Sequence, residues 1–324
     1  LEHNNHKFSS PFVGEIVCDD TILLQMERKF IEAVQFDNYL DEIIGKQGDR
    51  CLMENIKVGV IQLKILGSKF GTKNRYENIK SVEEKITQLM EANPQTDVIV
   101  MPEEFYTGSS YNFTSIPEAF SGNKAIKKLS ELAEKYNCYI IGGVTGSVDN
   151  EGKDRRYRNI GFILNRKGKI IGTQERNYIF YREAEFIVKG VEKKVFDLDI
   201  GRVGILMGID MFYEDMIKQM VALGVEIIFA PCLLPSPLNE EINKSFIINK
   251  WKSMVLAKAY EYGIFIIGVN GVGEVSYLKG RFEGGSIIAG PFGKILELDN
   301  DEYINVIDLK SADIEKAKNY VELI

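Results

Sequence analysis

The chain runs to 324 residues, 45% of them hydrophobic, which is enough for one large domain with a sizeable core. Its 40 basic and 47 acidic residues leave a net charge of −7, without the clustered Lys and Arg of a nucleic-acid footprint; Lys124, Lys127 and Lys128 read as the solvated face of a helix. No apolar run reaches the length of a membrane span, and residues 1–10 lack the apolar segment of a secretory signal.

Cys18, Cys51, Cys138 and Cys232 are spaced too widely for a disulfide framework or a zinc motif, and read as reduced thiols of a cytoplasmic protein. The two histidines, His3 and His6, both lie in the polar N-terminal tail. The rest of the chain therefore cannot build Ser–His–Asp or Cys–His catalysis, or a histidine metal site. Acid–base chemistry there must come from carboxylates, Lys, Tyr or Cys.

In chain order, 12–18 is a candidate strand, and 20–45 repeats Leu23, Met26, Phe30, Ile31, Val34, Leu40 and Ile44 at mostly helical spacing. Residues 1–55 thus form an N-terminal extension with an amphipathic helix, which either packs on its own domain or meets a protein partner. From Ile56 the pattern alternates strand and helix. Strands are expected at 57–63, 97–101, 138–144, 159–165, 169–174, 201–207, 225–230, 264–269, 286–289 and 294–298. Helices are expected at 74–91 and 124–136, through Met216, Met220 and Leu223 to Gly224, and at 246–262. Arg166-Lys167-Gly168 and Pro291-Phe292-Gly293 are hairpin signals. The glycines of 268–273 lack a phosphate-loop lysine and read as turn glycines. Interleaved strands and helices imply sheets covered by helices on their outer faces.

Three segments carry a resemblance. Val98 to Phe105 is a strand ending in Pro102-Glu103, with Gly108 beyond it. Arg176 to Glu183 leads to Gly190, and Val203 to Asp210 is followed by Glu214 and a helix. Together, in this order, they resemble the nitrilase superfamily, the carbon–nitrogen hydrolase domain. Residues 224–231, 251–259, Val269-Asn270 and 285–293 are similar to further parts of it. The resemblance covers roughly 56–310 and leaves 311–324 as a C-terminal helical tail. It implies an α/β fold, a four-layer α-β-β-α sandwich with mixed sheets, assembled as a homodimer or higher oligomer.

The family's reaction explains the residue types. A cysteine thiolate attacks an amide, nitrile or carbamoyl carbon. A glutamate takes and returns protons. A lysine steadies the oxyanion. On that resemblance the glutamate position falls on Glu103, the lysine position on Arg176, the nucleophile position on Gly208, and a second glutamate on Glu183. Cys232, Asp210 and Tyr178 are candidate substrate-binding residues. No cofactor or metal is expected.

Gly208 has no side chain to act as a nucleophile, and Arg176 is planar and permanently charged. Two readings follow. The chain is a pseudoenzyme that binds a small amide-, nitrile- or carbamoyl-like ligand, or a partner through residues 1–55. Alternatively it hydrolyses C–N bonds by another route, with Glu103 activating water or Cys232 as a displaced nucleophile. Each residue also has a plain structural reading: Glu103 as an ion pair with Arg176, Asp210 and Glu214 as helix caps, Cys232 and Cys138 as packing. Specificity is expected from the loops 109–121 and 235–243.

Overall fold

The computed structural model describes residues 55–67, 72–108, 120–147, 156–180, 183–237, 245–275 and 280–321. The expected extension 1–55, with His3, His6, Cys18 and Cys51, lies almost wholly outside them, as does most of both pocket loops. No helix among the described residues is long and apolar enough to cross a membrane.

One six-stranded sheet orders its strands β15-β1-β2-β3-β4-β5. These are β1 (Asn55–Gln62), β2 (Val98–Val100), β3 (Tyr139–Ser147), β4 (Tyr157–Leu164), β5 (Ile170–Glu175) and β15 (Tyr303–Lys310). The other orders β14-β13-β10-β8-β7-β6. It contains β6 (Val195–Leu198), β7 (Gly201–Ile205), β8 (Ile227–Pro231), β10 (Phe265–Val269), β13 (Ile287–Gly290) and β14 (Gly293–Glu297). Each has a parallel centre, β1-β2-β3 and β7-β8-β10, flanked by antiparallel strands. Strands buried on both faces read as continuous apolar runs, and Ile227–Pro231 and Phe265–Val269 are buried at every position.

The two-residue period sorts these side chains into layers. Val98 and Val100 point between the sheets, where they join Val58, Ile141, Val203, Ile205, Ile227, Phe229 and Phe265. Ile99 and Met101 point outward, to α1 (Thr72–Ala92) and α2 (Lys124–Tyr136), which bring Val82, Ile86, Leu89, Leu129 and Leu132. On the far side, Ile228, Ala230 and Ile266 meet α3 (Glu214–Ala222) and α4 (Phe246–Tyr262) through Met216, Met220, Trp251 and Val255. The expected α-β-β-α sandwich is thus the observed architecture. Trp251 packs so closely on β10 that a Cβ at Gly268 would lie 2.6 Å from its ring, so only glycine fits there.

Several elements differ from their sequence expectation. A 3-10 turn that the sequence did not announce, Gly208–Phe212, precedes α3, with Gly208 at φ 49° and Tyr213 extended between them. Neither conformation continues an α-helix. The glycines at 271 and 273 flank and enter strand β11 (Val272–Val275), which pairs with β12 (Gly280–Glu283), itself paired with β9 (Pro235–Pro237), in a small third sheet. Strands β6 and β15, also unexpected, close sheet edges, and α5 (Ala312–Val321) follows β15.

Candidate functional site

The site residues stand just past strand ends, where the two sheets face each other. Glu103 follows β2, Arg176 follows β5, Gly208 follows β7 and Cys232 follows β8. The Glu103 N–H donates to the Cys232 carbonyl at 3.3 Å, tying one sheet's rim to the other's. The Arg176 N–H donates to the Asn159 carbonyl at 2.9 Å, and the Arg176 carbonyl accepts from Gly190 at 2.9 Å.

The Arg176 guanidinium is buried and bridges two buried carboxylates. Its Nη1 donates to Glu103 Oε1 at 3.1 Å and its Nη2 to Glu183 Oε2 at 2.5 Å. The same Glu183 oxygen accepts the Phe180 N–H at 2.9 Å. Arg176 Nε, also buried, has no acceptor among the described residues. Glu103 Oε1 further accepts from Asn159 Nδ2 at 2.9 Å. Burial pushes the Glu103 carboxyl up and the Glu183 charge adds to this, while Arg176 and the Asn159 hydrogen bond pull it down.

Gly208 faces this pair directly. A Cβ built on it would lie 2.6 Å from Glu103 Oε2 and 3.6 Å from Arg176 Nη1. Its φ of 49° is in the left-handed region, where glycine carries no Cβ penalty. The structure therefore brings Glu103, Arg176, Glu183 and Gly208 together.

Asp210 is fully buried two residues on, and its partners correct the capping expectation. No side chain caps the 3-10 turn or α3. Asp210 instead accepts the backbone N–H groups of Asn177 (3.1 Å) and Tyr178 (2.7 Å), and so anchors the segment carrying Arg176. Burial outweighs those hydrogen bonds and pushes its carboxyl up to about 7. Glu214 does not cap either; it pairs with Lys258 and Tyr262 of α4.

Tyr178 stacks on Tyr213 with ring centroids 3.4 Å apart and donates its hydroxyl to Asp215 at 2.9 Å. Cys232 is fully buried in the apolar layer beneath α3 and α4. Burial and the Glu103 charge push its thiol well above the ordinary range, the opposite of what a nucleophile needs. Cys138 is likewise buried, its thiol pushed up to about 12 by burial. No group of His, Cys, Asp and Glu among the described residues is arranged to hold a metal ion.

Three polar residues at this rim had no role in the sequence reading: Glu104, Thr145 on β3 and Asn159 on β4. Thr145 Oγ1 lies 3.1 Å from Glu104 Oε1 and 3.0 Å from Asn159 Oδ1, and Asn159 Nδ2 donates to Glu104 Oε1 at 3.2 Å. The doubled glutamate after Pro102 and the lone Asn opening an apolar strand were the available signals.

The sequence model of the carbon–nitrogen hydrolase family matches residues 57–319. The chain is 25% identical over 243 residues to a probable nitrilase of Schizosaccharomyces pombe, covering 74% of this chain and 84% of that protein. It is 26% identical over 224 residues to a 2-oxoglutaramate amidase of Bacillus subtilis, covering 68% and 79%. Among solved structures, a carbon–nitrogen hydrolase from Helicobacter pylori superposes with a TM-score of 0.73 at 19% identity, covering 83% of this chain and 94% of that one. Nit3 of Saccharomyces cerevisiae, a nitrilase-superfamily member, superposes at 0.70 and 19% identity, covering 85% and 97%. With a family match spanning most of its length, the chain belongs to the carbon–nitrogen hydrolase family of the nitrilase superfamily.

Proposed function

We propose that this chain is a carbon–nitrogen hydrolase homologue that has given up thiol-dependent hydrolysis and serves as a ligand-binding or partner subunit. Gly208 stands at the family's nucleophile position and Arg176 at its lysine position. The observation that carries the reading is the 2.6 Å separation between Glu103 Oε2 and the place where a Cβ at 208 would stand. The catalytic side chain is missing, and the Glu103 carboxylate lies in contact range of the space it would fill.

Arg176 fits the same reading. Both of its terminal nitrogens are committed to carboxylates, so the cation works first as a buried clamp. Its Nε hydrogen remains for an acceptor, the oxygen of an amide or carbamoyl group or the nitrogen of a nitrile, which suits a small ligand of these classes retained without turnover. A partner would engage through residues 1–55, and self-association as a dimer fits the family resemblance.

Turnover of amide, nitrile and carbamoyl substrates, with and without a thiol-alkylating agent, tests this. No alkylation-sensitive turnover is expected. Turnover abolished both by alkylation and by Cys232→Ala would overturn the reading and make Cys232 the nucleophile.

A further inference from the structure

Glu104 sits beside the ion-paired group without sharing its cation. Among the described residues its carboxyl hydrogen-bonds to Thr145 and Asn159, whereas Arg176 reaches Glu103 and Glu183. Glu104 also holds a left-handed backbone, φ 50°, which a non-glycine residue keeps only when its surroundings fix it. Its N–H donates to the Gly143 carbonyl at 2.8 Å, and its carbonyl accepts from Gly108 at 2.8 Å. The carboxyl is thus placed against β3 and β4 by the main chain.

Counting hydrogens decides the state of that carboxyl. The Thr145 hydroxyl has one hydrogen and two oxygen neighbours, Asn159 Oδ1 at 3.0 Å and Glu104 Oε1 at 3.1 Å. The Asn159 oxygen is an acceptor only and is buried, so it needs that hydrogen. The contact between Thr145 and Glu104 then requires a hydrogen from Glu104. Giving the Thr145 hydrogen to Glu104 instead would leave two oxygens 3.0 Å apart with none between them. Turning the Asn159 amide over would set its oxygen against carboxyl oxygens of Glu103 and Glu104 at 2.9 and 3.2 Å, which demands more protons, not fewer.

We propose that Glu104 is a protonated positioning residue: its O–H donates to Thr145, Thr145 donates to Asn159, and the Asn159 amide donates to both Glu103 and Glu104. The ring closes on itself, and Glu103 keeps the charge because it faces Arg176. The charged groups around Glu104 are Glu103, Glu183 and Arg176, and the first two oppose a further negative charge. Burial, then the Glu103 charge, pushes the Glu104 carboxyl up to about 8, in keeping with the hydrogen count. The proposal stands whether or not the site turns over a ligand.

Infrared difference spectroscopy on the full chain tests it, paired with melting temperature against pH. At neutral pH the folded protein should show a protonated-carboxyl C=O band that Glu104→Gln removes and Glu103→Gln retains. Thr145→Val should shift that band, because it removes the acceptor of the Glu104 hydrogen, and this variant serves if Glu104→Gln does not fold.

Because the folded group holds its proton up to about 8 and the unfolded one releases it near 4.5, its stabilisation is full below 4.5 and is lost as pH rises through 8. The wild-type melting temperature should therefore fall across that window more steeply than that of Glu104→Gln. A band lost in Glu103→Gln but kept in Glu104→Gln, a band indifferent to Thr145→Val, or equal pH slopes would overturn the proposal.

Discussion

Lys258 and Arg176, two of the buried cations among the described residues, each face a glutamate, and Glu214 and Glu103 respond in opposite ways. Lys258, inside the outer helical layer, is only 4% exposed, yet the side chain of its partner Glu214 is 44% exposed. Hydrogen bonds from Lys258 and Tyr262 draw the Glu214 carboxyl below its ordinary range. Arg176, between the sheets, has partners as buried as itself, with Glu103 and Glu183 side chains 3% and 8% exposed. There burial exceeds pairing, and the Glu103 carboxyl is pushed up. An ion pair with one end in water keeps its charges cheaply; a pair with neither end in water holds them only through a closed set of hydrogen bonds.

Removing the cation at each place separates the two cases. Arg176→Met leaves Glu103 and Glu183 buried without their counter-charge, and stability should drop by about 3–5 kcal/mol in denaturant titrations at neutral pH. The loss should shrink on mild acidification, because the stranded Glu103 carboxyl, already pushed up by burial, takes up a proton. A loss below about 1 kcal/mol would mean that water reaches these carboxylates.

Gly208→Ala should cost about 1–2 kcal/mol, since it combines a left-handed backbone with a Cβ 2.6 Å from Glu103 Oε2. Thermal or denaturant unfolding measures it, and a neutral outcome would show that Glu103 swings away freely. Lys258→Met should change stability by less than about 1 kcal/mol, because methionine fills the apolar path of the lysine stem and Glu214 can turn to solvent. A cost equal to that of Arg176→Met would erase the distinction between the two sites.

The sequence made the layered core legible because its periods are local. Ile227–Pro231 and Phe265–Val269 are apolar throughout, and Val82, Ile86 and Leu89 recur on one helix face. It did not show β15, whose alternation is weak and whose pairing with β1 joins Asn55 to Lys310. The small sheet of β9, β11 and β12 was hidden too, by Pro235, Pro237 and Gly273, which interrupt any strand pattern.

The grouping of Glu103, Arg176 and Gly208 was legible through motif order, since each follows a strand, and Glu183 came with the segment that Arg176 opens. What Asp210 does was not: its acceptors are satisfied by the N–H groups of Asn177 and Tyr178, more than thirty residues back in the chain. Asn159 and Thr145 were missed for the same reason, being ordinary strand residues until the fold sets them beside two glutamates.

On the function proposed above, the missing side chain at position 208 and the clamp at 176 separate the chain from hydrolysis. The most direct measurement is kcat/KM on one panel of amide, nitrile and carbamoyl substrates for wild type, Gly208→Cys, Arg176→Lys and the double variant. Wild type and Arg176→Lys should be silent. Gly208→Cys should regain little, because its Cβ meets the clamped Glu103 carboxylate. The double variant should exceed the product of the singles, as residues of one catalytic unit do. Wild-type turnover that Gly208→Cys leaves unchanged would contradict the account.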